Sequence, residues 1–260
     1  MSAIQLSVVI ITFNEEKNIG RCLDSVSTLA DEMVVLDSNS TDNTREIAAS
    51  RGARVFQMDF KGHVEQKNEA LKLASFPHVL SLDADEALDK ELIAAIAGIK
   101  KNFSSDGYYL NRLTNYAGQW MRFGGWYPDR KLRLWDSRKG RWSGTNPHDR
   151  FEVDAGSKLE ILPGNLLHYS YESRESHIIQ SRKFAETAAK ALYSRGKKAG
   201  WIKRFLSPVF RFFYSYFFRL GFLEGAAGFH VASISAWASY RKYQILHQLH
   251  QSNSGSDNRS

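Results

Sequence analysis

Short apolar runs and longer amphipathic stretches alternate along the first hundred residues. Leu6-Ser7-Val8-Val9-Ile10-Ile11 is β-branched and apolar, as a strand buried on both faces requires. Asn18 to Leu29 then places Ile19, Leu23 and Val26 at helical spacing. Met33-Val34-Val35-Leu36 predicts a second strand. Thr41-Asp42-Asn43-Thr44 offers a cap for a helix through Ile47 and Ala48. Arg54-Val55-Phe56 predicts a third strand, Val64 to Leu73 a helix, His78 to Leu82 a fourth strand and Lys90 to Ile99 another helix. Alternation of this kind predicts a parallel sheet covered on both faces. From Gly107 to Tyr169 the chain turns rich in Trp, Tyr, Arg and Gly, a composition suited to recognition. Beyond Glu175 it reads as helical.

Ligands of open α/β sheets bind beyond the carboxyl ends of the strands. The residues there are Thr12, Asn14, Glu15 and Glu16 after the first strand, Asp37 to Ser40 after the second, and Asp83, Asp85 and Glu86 after the fourth. Like charges gathered on one edge repel unless a cation or hydrogen-bond donors neutralise them. Asp83 and Asp85 stand at i and i+2, so in an extended strand end both point the same way and can share a divalent cation. Glu86 and Asp89 fit the N-terminus of the following helix. Asp37 can accept from a ribose or base, or shape a turn with Asn39 and Thr41. Arg130, Lys131 and Arg133 follow a Gly124-Gly125-Trp126-Tyr127 turn and suit a donor diphosphate or an acceptor phosphate.

Composition narrows the classes. The 260 residues allow one large α/β domain with or without an appendage. The single cysteine, Cys22, excludes an intramolecular disulfide and a Cys-rich metal site, and its helical pattern suits a small buried hydrophobe. Ser7 to Phe13 lacks the basic flank and cleavage site of a secretion signal. The net charge of +7 suits nucleic acid, an anionic membrane or phosphorylated ligands. Nucleic acid is disfavoured, because the basic residues are dispersed and the ligand edge is acidic.

Four segments taken together, Thr12-Phe13-Asn14-Glu15-Glu16, Leu36 to Thr44, Gln66-Lys67-Asn68 and Leu82 to Glu86, resemble glycosyltransferase family 2, the inverting enzymes of GT-A fold. Further segments extend the likeness over about residues 5–245: Gly124 to Asp129, Arg133-Leu134-Trp135, Pro147-His148-Asp149, His168-Tyr169-Ser170 and Gly221 to Gly225. This longer series is similar to the bacterial lipopolysaccharide inner-core β-1,4-glucosyltransferase group. The resemblance implies an α/β, Rossmann-like GT-A fold for nucleotide-diphospho-sugar transfer. It implies that Thr12, Asn14 and Glu15 line the nucleotide pocket, that Asp37 holds the base or ribose, and that Lys67 sits near the nucleotide. Asp83 would meet the ribose–phosphate region, with Asp85 and His168 on Mg²⁺ or Mn²⁺. Asp149 is the candidate base for an inverting attack, with His148 its rival; an Asp149–Arg150 surface pair is the structural alternative. That group more often carries Glu at this place, one methylene longer. The implied donor is UDP-glucose and the implied acceptor a lipopolysaccharide-core or other lipid-linked saccharide. A non-catalytic nucleotide-sugar-binding module is the competing reading.

The expected organisation is a catalytic domain over 1–172, a helical region over 173–250 and a disordered tail over 251–260. Phe205 to Tyr240 is very apolar but interrupted by Arg211, Arg219, Glu224 and His230, so it is no clean membrane span. Aromatics beside basic residues fit a helix lying in a membrane interface, with Lys197-Lys198 and Lys203-Arg204 favouring anionic lipid. A helical pair packed on the catalytic domain or on a second subunit is the alternative. The expected location is cytoplasmic, peripheral at the inner face of a bacterial cytoplasmic membrane.

Overall fold

A computed structural model describes residues 3–145 and 148–256. The elements in chain order are β1 (Leu6–Thr12), α1 (Ile19–Val26), β2 (Glu32–Asp37), α2 (Thr44–Ser50), β3 (Arg54–Gln57) and α3 (His63–Lys72). Next come β4 (His78–Asp83), β5 (Glu86–Leu88), α4 (Lys90–Lys101), β6 (Gly107–Tyr116), β7 (Gln119–Met121), β8 (Asp129–Asp136), β9 (Gly140–Thr145) and β10 (His148–Val153). The chain ends with β11 (Leu159–Tyr171), α5 (Arg174–Ser194), α6 (Trp201–Phe213), a π turn (Tyr214–Phe218), a 3₁₀ turn (Gly221–Glu224) and α7 (Gly225–Ser256). Two compact units result, 1–113 with 128–169, and 114–127 with 170–260. The division differs from a single boundary at 172, because residues 114–127 go with the C-terminal helices.

In the first unit the strand order is β3-β2-β1-β4-β8-β6-β11-β5. The first four strands are parallel, as the alternating pattern predicts. The rest is not: β8 runs antiparallel to β4, β6 to β8, and β5 to β11. The Trp- and Arg-rich middle is therefore mostly sheet. β1 explains why its strand lacks polar alternation. Leu6, Val8 and Ile10 pack with α1 and α4 through Leu23, Val26, Leu92 and Ile96, while Val9 joins Val34, Leu36, Val79 and Ala70 of α3. Cys22 lies fully buried in the first of these clusters, as a small hydrophobe should.

Asp89 caps α4 by accepting from the Leu92 amide at 2.8 Å. Its other oxygen accepts from the Asn165 amide at 2.9 Å and side chain at 2.8 Å, which holds β11 beside β5. Gly164 makes that approach possible. Its φ is +86°, and a Cβ there would lie 2.3 Å from the Leu92 nitrogen.

In the second unit, Thr114 to Tyr116 pair with β7 as a hairpin. Glu224 grips it, accepting from the amides of Arg122 at 2.5 Å and Phe123 at 2.7 Å and from Gln119 Nε2 at 2.7 Å. The π turn holds the same loop: Ser215 Oγ donates to the Gly124 carbonyl at 2.9 Å. Helix α7 continues to Ser256, so residues 251–256 are helical where a disordered tail was expected. Leu246 is buried with Ala189 and Ala199, and His250 Nε2 lies 3.0 Å from the Lys197 carbonyl, so packing extends the helix at little further cost. Residues 257–260 lie outside the described part.

His177 of α5 packs among Tyr116, Trp126 and Tyr171, with ring centroids 4.5–5.9 Å away. Burial lowers its imidazole from the ordinary 6.5 to about 4. The unfolded chain therefore takes up the proton first. The associated stability is full above about pH 6.5 and is lost as pH falls towards 4. The melting temperature should drop through this window, and His177→Phe should flatten the drop. An unchanged pH slope in the variant would refute the assignment.

Candidate active site

The strand ends meet in register: Thr12 stands opposite Asp37, and Ile11 opposite Asp83. Two strand spacings separate Asp37 from Asp83, about 9–10 Å. The two loops beyond this edge are stitched together. Asn14, at φ +52°, donates its amide to Ser40 Oγ at 2.8 Å and accepts the Thr41 amide on Oδ1 at 2.8 Å. The Glu15 amide donates to Thr44 Oγ1 at 2.8 Å, and Glu15 Oε2 accepts from Asn18 at 2.8 Å. Asp37 is fully buried and accepts both the amide (2.7 Å) and the hydroxyl of Ser40. The side chains of Asn14 and Asp37 thus build the loop, Asp37 through Ser40 and Asn14 through Thr41. Thr12 differs, since its buried hydroxyl has no hydrogen-bond partner among the described residues. Phe13 beside it is 57% exposed, which leaves an aromatic face open at this edge.

Across the edge runs a chain of alternating charges. Lys67 Nζ lies 2.9 Å from Asp83 Oδ1 and 2.8 Å from Asp149 Oδ2. Arg133 Nη2 lies 2.6 Å from Asp83 Oδ2 and 2.9 Å from Glu86 Oε1. Arg112 continues the chain, 3.6 Å from Glu86 and 2.6 Å from Asp129, and Lys131 pairs with Asp129 at 3.1 Å. Glu86 Oε2 also accepts the Asp83 amide at 2.9 Å. Burial would raise the Asp83 pKa, but Arg133 and Lys67 outweigh it and hold the carboxyl well below 3.8. Burial likewise opposes the Arg133 charge, yet Asp83 and Glu86 raise its pKa above the ordinary value.

The cations that neutralise the acidic edge include the protein's own Lys67, Arg133 and Arg112. Arg133 is buried and serves the carboxylates, where a phosphate partner was expected, and Lys131 pairs with Asp129. Arg130 is exposed on β8, opposite Asn111, and joins none of these pairs. Glu86 is no helix cap; it is 1% exposed and anchors two arginines.

A tertiary device positions Lys67. Asn68, next to it on α3, clamps the Trp142 main chain, donating to its carbonyl at 3.0 Å and accepting its amide at 3.1 Å. The Trp142 ring then lies 4.5 Å under Lys67 Nζ, and it packs against Trp135 and Phe151. β9 is thereby fastened to α3, and its partner β10 carries Asp149. Asp149 does not form the surface pair with Arg150, which binds Glu152 at 2.6 Å. The His148 side chain lies outside the described residues. Asn68, Trp142 and Arg112 receive no role from sequence reasoning, which reads Glu86 only as an acidic edge residue suited to a helix N-terminus. The available signal was the unbalanced charge of the acidic edge.

Asp85 stands apart from the chain of charges. Its Oδ2 lies 3.2 Å from His168 Nε2, and its carbonyl accepts the Tyr169 amide at 2.9 Å. β11 and β5 bring the pair together, with His168 registered against Glu86. Among the described residues no group of three or more His, Cys, Asp or Glu side chains could hold a metal ion.

A Rossmann-like sheet that ends in an acidic ligand edge and closes with antiparallel strands defines an α/β protein of the GT-A class. The family model described as Glycosyl transferase family 2 matches residues 7–162, so the chain belongs to that family and is a glycosyltransferase. An uncharacterized glycosyltransferase of Rickettsia typhi is 31% identical over 94% of this chain and 87% of its own length. The lipopolysaccharide core biosynthesis glycosyltransferase LpsC of Rhizobium meliloti is 28% identical over 93% of this chain and 94% of its own. Among solved structures, Staphylococcus aureus TarS (1–349) gives a TM-score of 0.47 at 16% identity, covering 96% of this chain and 92% of that one. Glucosyl-3-phosphoglycerate synthase of Mycobacterium tuberculosis, solved with Mn²⁺ and UDP, gives 0.36 at 28% identity over 44% of this chain and 45% of that one.

Proposed function

We propose that this glycosyltransferase inverts configuration at the sugar it transfers, taking it from a nucleotide-sugar, most simply UDP-glucose, to a lipopolysaccharide-core or other lipid-linked saccharide at the inner face of the cytoplasmic membrane. The likeness to LpsC along nearly the whole chain supports the acceptor class. The observation that carries the mechanism is the Lys67 bridge, because one ammonium within 2.9 Å of Asp83 and 2.8 Å of Asp149 ties the nucleotide edge to a second carboxylate. The binding-module reading would gain from an Asp149 far from Asp85.

In this reading the Thr12 hydroxyl and the exposed Phe13 ring face the nucleoside, and Asp37, Asn14 and Glu15 keep their loops in place. Lys67 and Arg133 supply fixed positive charge beside Asp83, and Arg130 meets the donor or acceptor phosphate from the surface. Asp149 accepts the proton of the acceptor hydroxyl as that oxygen attacks the anomeric carbon opposite the leaving diphosphate. Fixed charges around developing charge lower the barrier because they need no reorganisation.

Asp85 and His168 suit a divalent ion. Their 3.2 Å separation is near the roughly 3 Å between adjacent ligands of an octahedral ion with bonds of about 2.1 Å. Two side chains leave positions for diphosphate oxygens and water, as Mg²⁺ and Mn²⁺ favour. Bound there, the ion would act as a Lewis acid on the departing diphosphate. The test is donor hydrolysis over a panel of nucleotide sugars with Mn²⁺ or Mg²⁺. A Lewis-acid contribution of several kcal/mol predicts a loss of at least about 100-fold in EDTA and in Asp85→Ala. The circular dichroism of Asp85→Ala should stay that of the wild type. Full hydrolysis in either case would remove the metal, and an inert panel would remove the donor class.

A further inference from the structure

Helix α6 and the π turn after it present an apolar face that no element among the described residues covers. Trp201, Phe210 and Phe218 are 66%, 67% and 76% exposed, and Phe213 and Phe217 are half-exposed. The rings stack in rows along the helix: Phe210 on Tyr214 at 5.7 Å, Tyr214 on Phe218 at 6.4 Å and Phe213 on Phe217 at 5.6 Å. A groove of about 390 Å³ between α6 and α7 is lined by apolar side chains, among them Phe205, Pro208 and Trp237. Contiguous exposed apolar faces mark an interaction surface.

Charge identifies the occupant. Residues 187–223 hold eight of the chain's 35 Lys and Arg and no Asp or Glu; the other 27 are balanced by 28 acidic residues. The net positive charge of the protein is therefore concentrated on the segment that bears the apolar face. A second copy docked on a two-fold axis would set the same positive segment against itself. No helix among the described residues is long and apolar enough to cross a bilayer. Aromatic rows parallel to a helix axis suit a helix lying flat in an interface, with basic side chains reaching to the headgroups.

We infer that α6 and the π turn form an in-plane anchor that inserts its Phe and Tyr rows and Trp201 into an anionic bilayer surface and seats an acyl chain in the α6–α7 groove. This deepens the proposed function by naming the surface on which a lipid-linked acceptor is met, and it stands on observations separate from the active site.

The experiment is flotation of the full chain with vesicles of phosphatidylcholine, with and without phosphatidylglycerol. Binding is expected to the mixed vesicles, at least about tenfold above phosphatidylcholine alone, and to weaken in high salt. Phe213→Glu with Phe217→Glu, both at half-exposed positions, should abolish it, and Lys197→Ser with Lys198→Ser and Lys203→Ser should weaken it. Brominated lipid should quench Trp fluorescence, and Trp201→Phe should reduce that quenching. Acceptor-free donor hydrolysis should be unchanged in all these variants, which separates failure of the anchor from failure of the catalytic reading. Equal binding to both vesicle types, or none, overturns the inference. So does a concentration-dependent dimer without lipid that the Phe→Glu pair dissolves, since the face would then belong to a second copy.

Discussion

Asp149→Asn should lower sugar transfer by about 10²–10⁴-fold, the usual worth of a positioned general base, while donor binding persists. The variant is chosen for its geometry. Asn keeps an oxygen that can accept from Lys67, which lies 2.8 Å from Asp149 Oδ2, so β10 keeps its attachment to α3. What is lost is the group proposed to take the acceptor proton. The loss should therefore fall on kcat, with KM for the donor little changed. Asp149→Glu, one methylene longer, should recover part of the rate, because it restores a carboxylate. His148→Gln should retain most activity. A fully active Asp149→Asn, together with a dead His148→Gln, would transfer the base role to His148. Steady-state kinetics with acceptor present decide between them.

Arg133→Met should cost about 3–5 kcal/mol of folding stability, the range seen when one partner of a buried ion pair is removed. Glu86 is the main reason. Its side chain is 0% exposed and that of Arg133 is 4%, so the carboxylate left behind has no water to turn to and keeps, of its two arginines, only the longer contact with Arg112, at 3.6 Å. The Asp83 part of the cost is smaller, since that carboxylate is 28% exposed and keeps Lys67. At about 2–4 °C per kcal/mol for a domain of this size, the melting temperature should fall by roughly 10 °C. Adding Glu86→Gln should recover part of the loss, because the two residues share one interaction. Strict additivity in thermal denaturation would show that the pair contributes little. Acid should act in the same direction as the arginine change. The depressed Asp83 carboxyl contributes stability that is present above its unfolded pKa near 3.8 and is lost as pH falls below it.

The parallel half of the sheet was legible because its period is strong. β1, β2 and β4 are apolar on both faces, as strands covered by helices on both sides must be, and their polar ends mark the ligand edge. The antiparallel half was not. β8 reads Asp129-Arg130-Lys131-Leu132-Arg133-Leu134-Trp135-Asp136, an alternation in which the polar positions look solvated. Arg133 occupies one of those positions and is buried, because Asp83 and Glu86 meet it from β4 and β5. Asn68 poses the same difficulty. Within its motif it could be any surface amide; only the approach of Trp142, 74 residues later, turns it into a clamp.

The sequence by itself determined the parallel half of the sheet, the acidic strand ends and the family. Local period and motif order carry that information, since each depends on neighbours in the chain. Tertiary structure alone decided which charges neutralise one another. Lys67 serves Asp83 and Asp149, Arg133 serves Asp83 and Glu86, and Asp85 is left to His168. The physical reason is that pairing energies depend on distance and burial. Both are set by strands that meet only after the chain has folded.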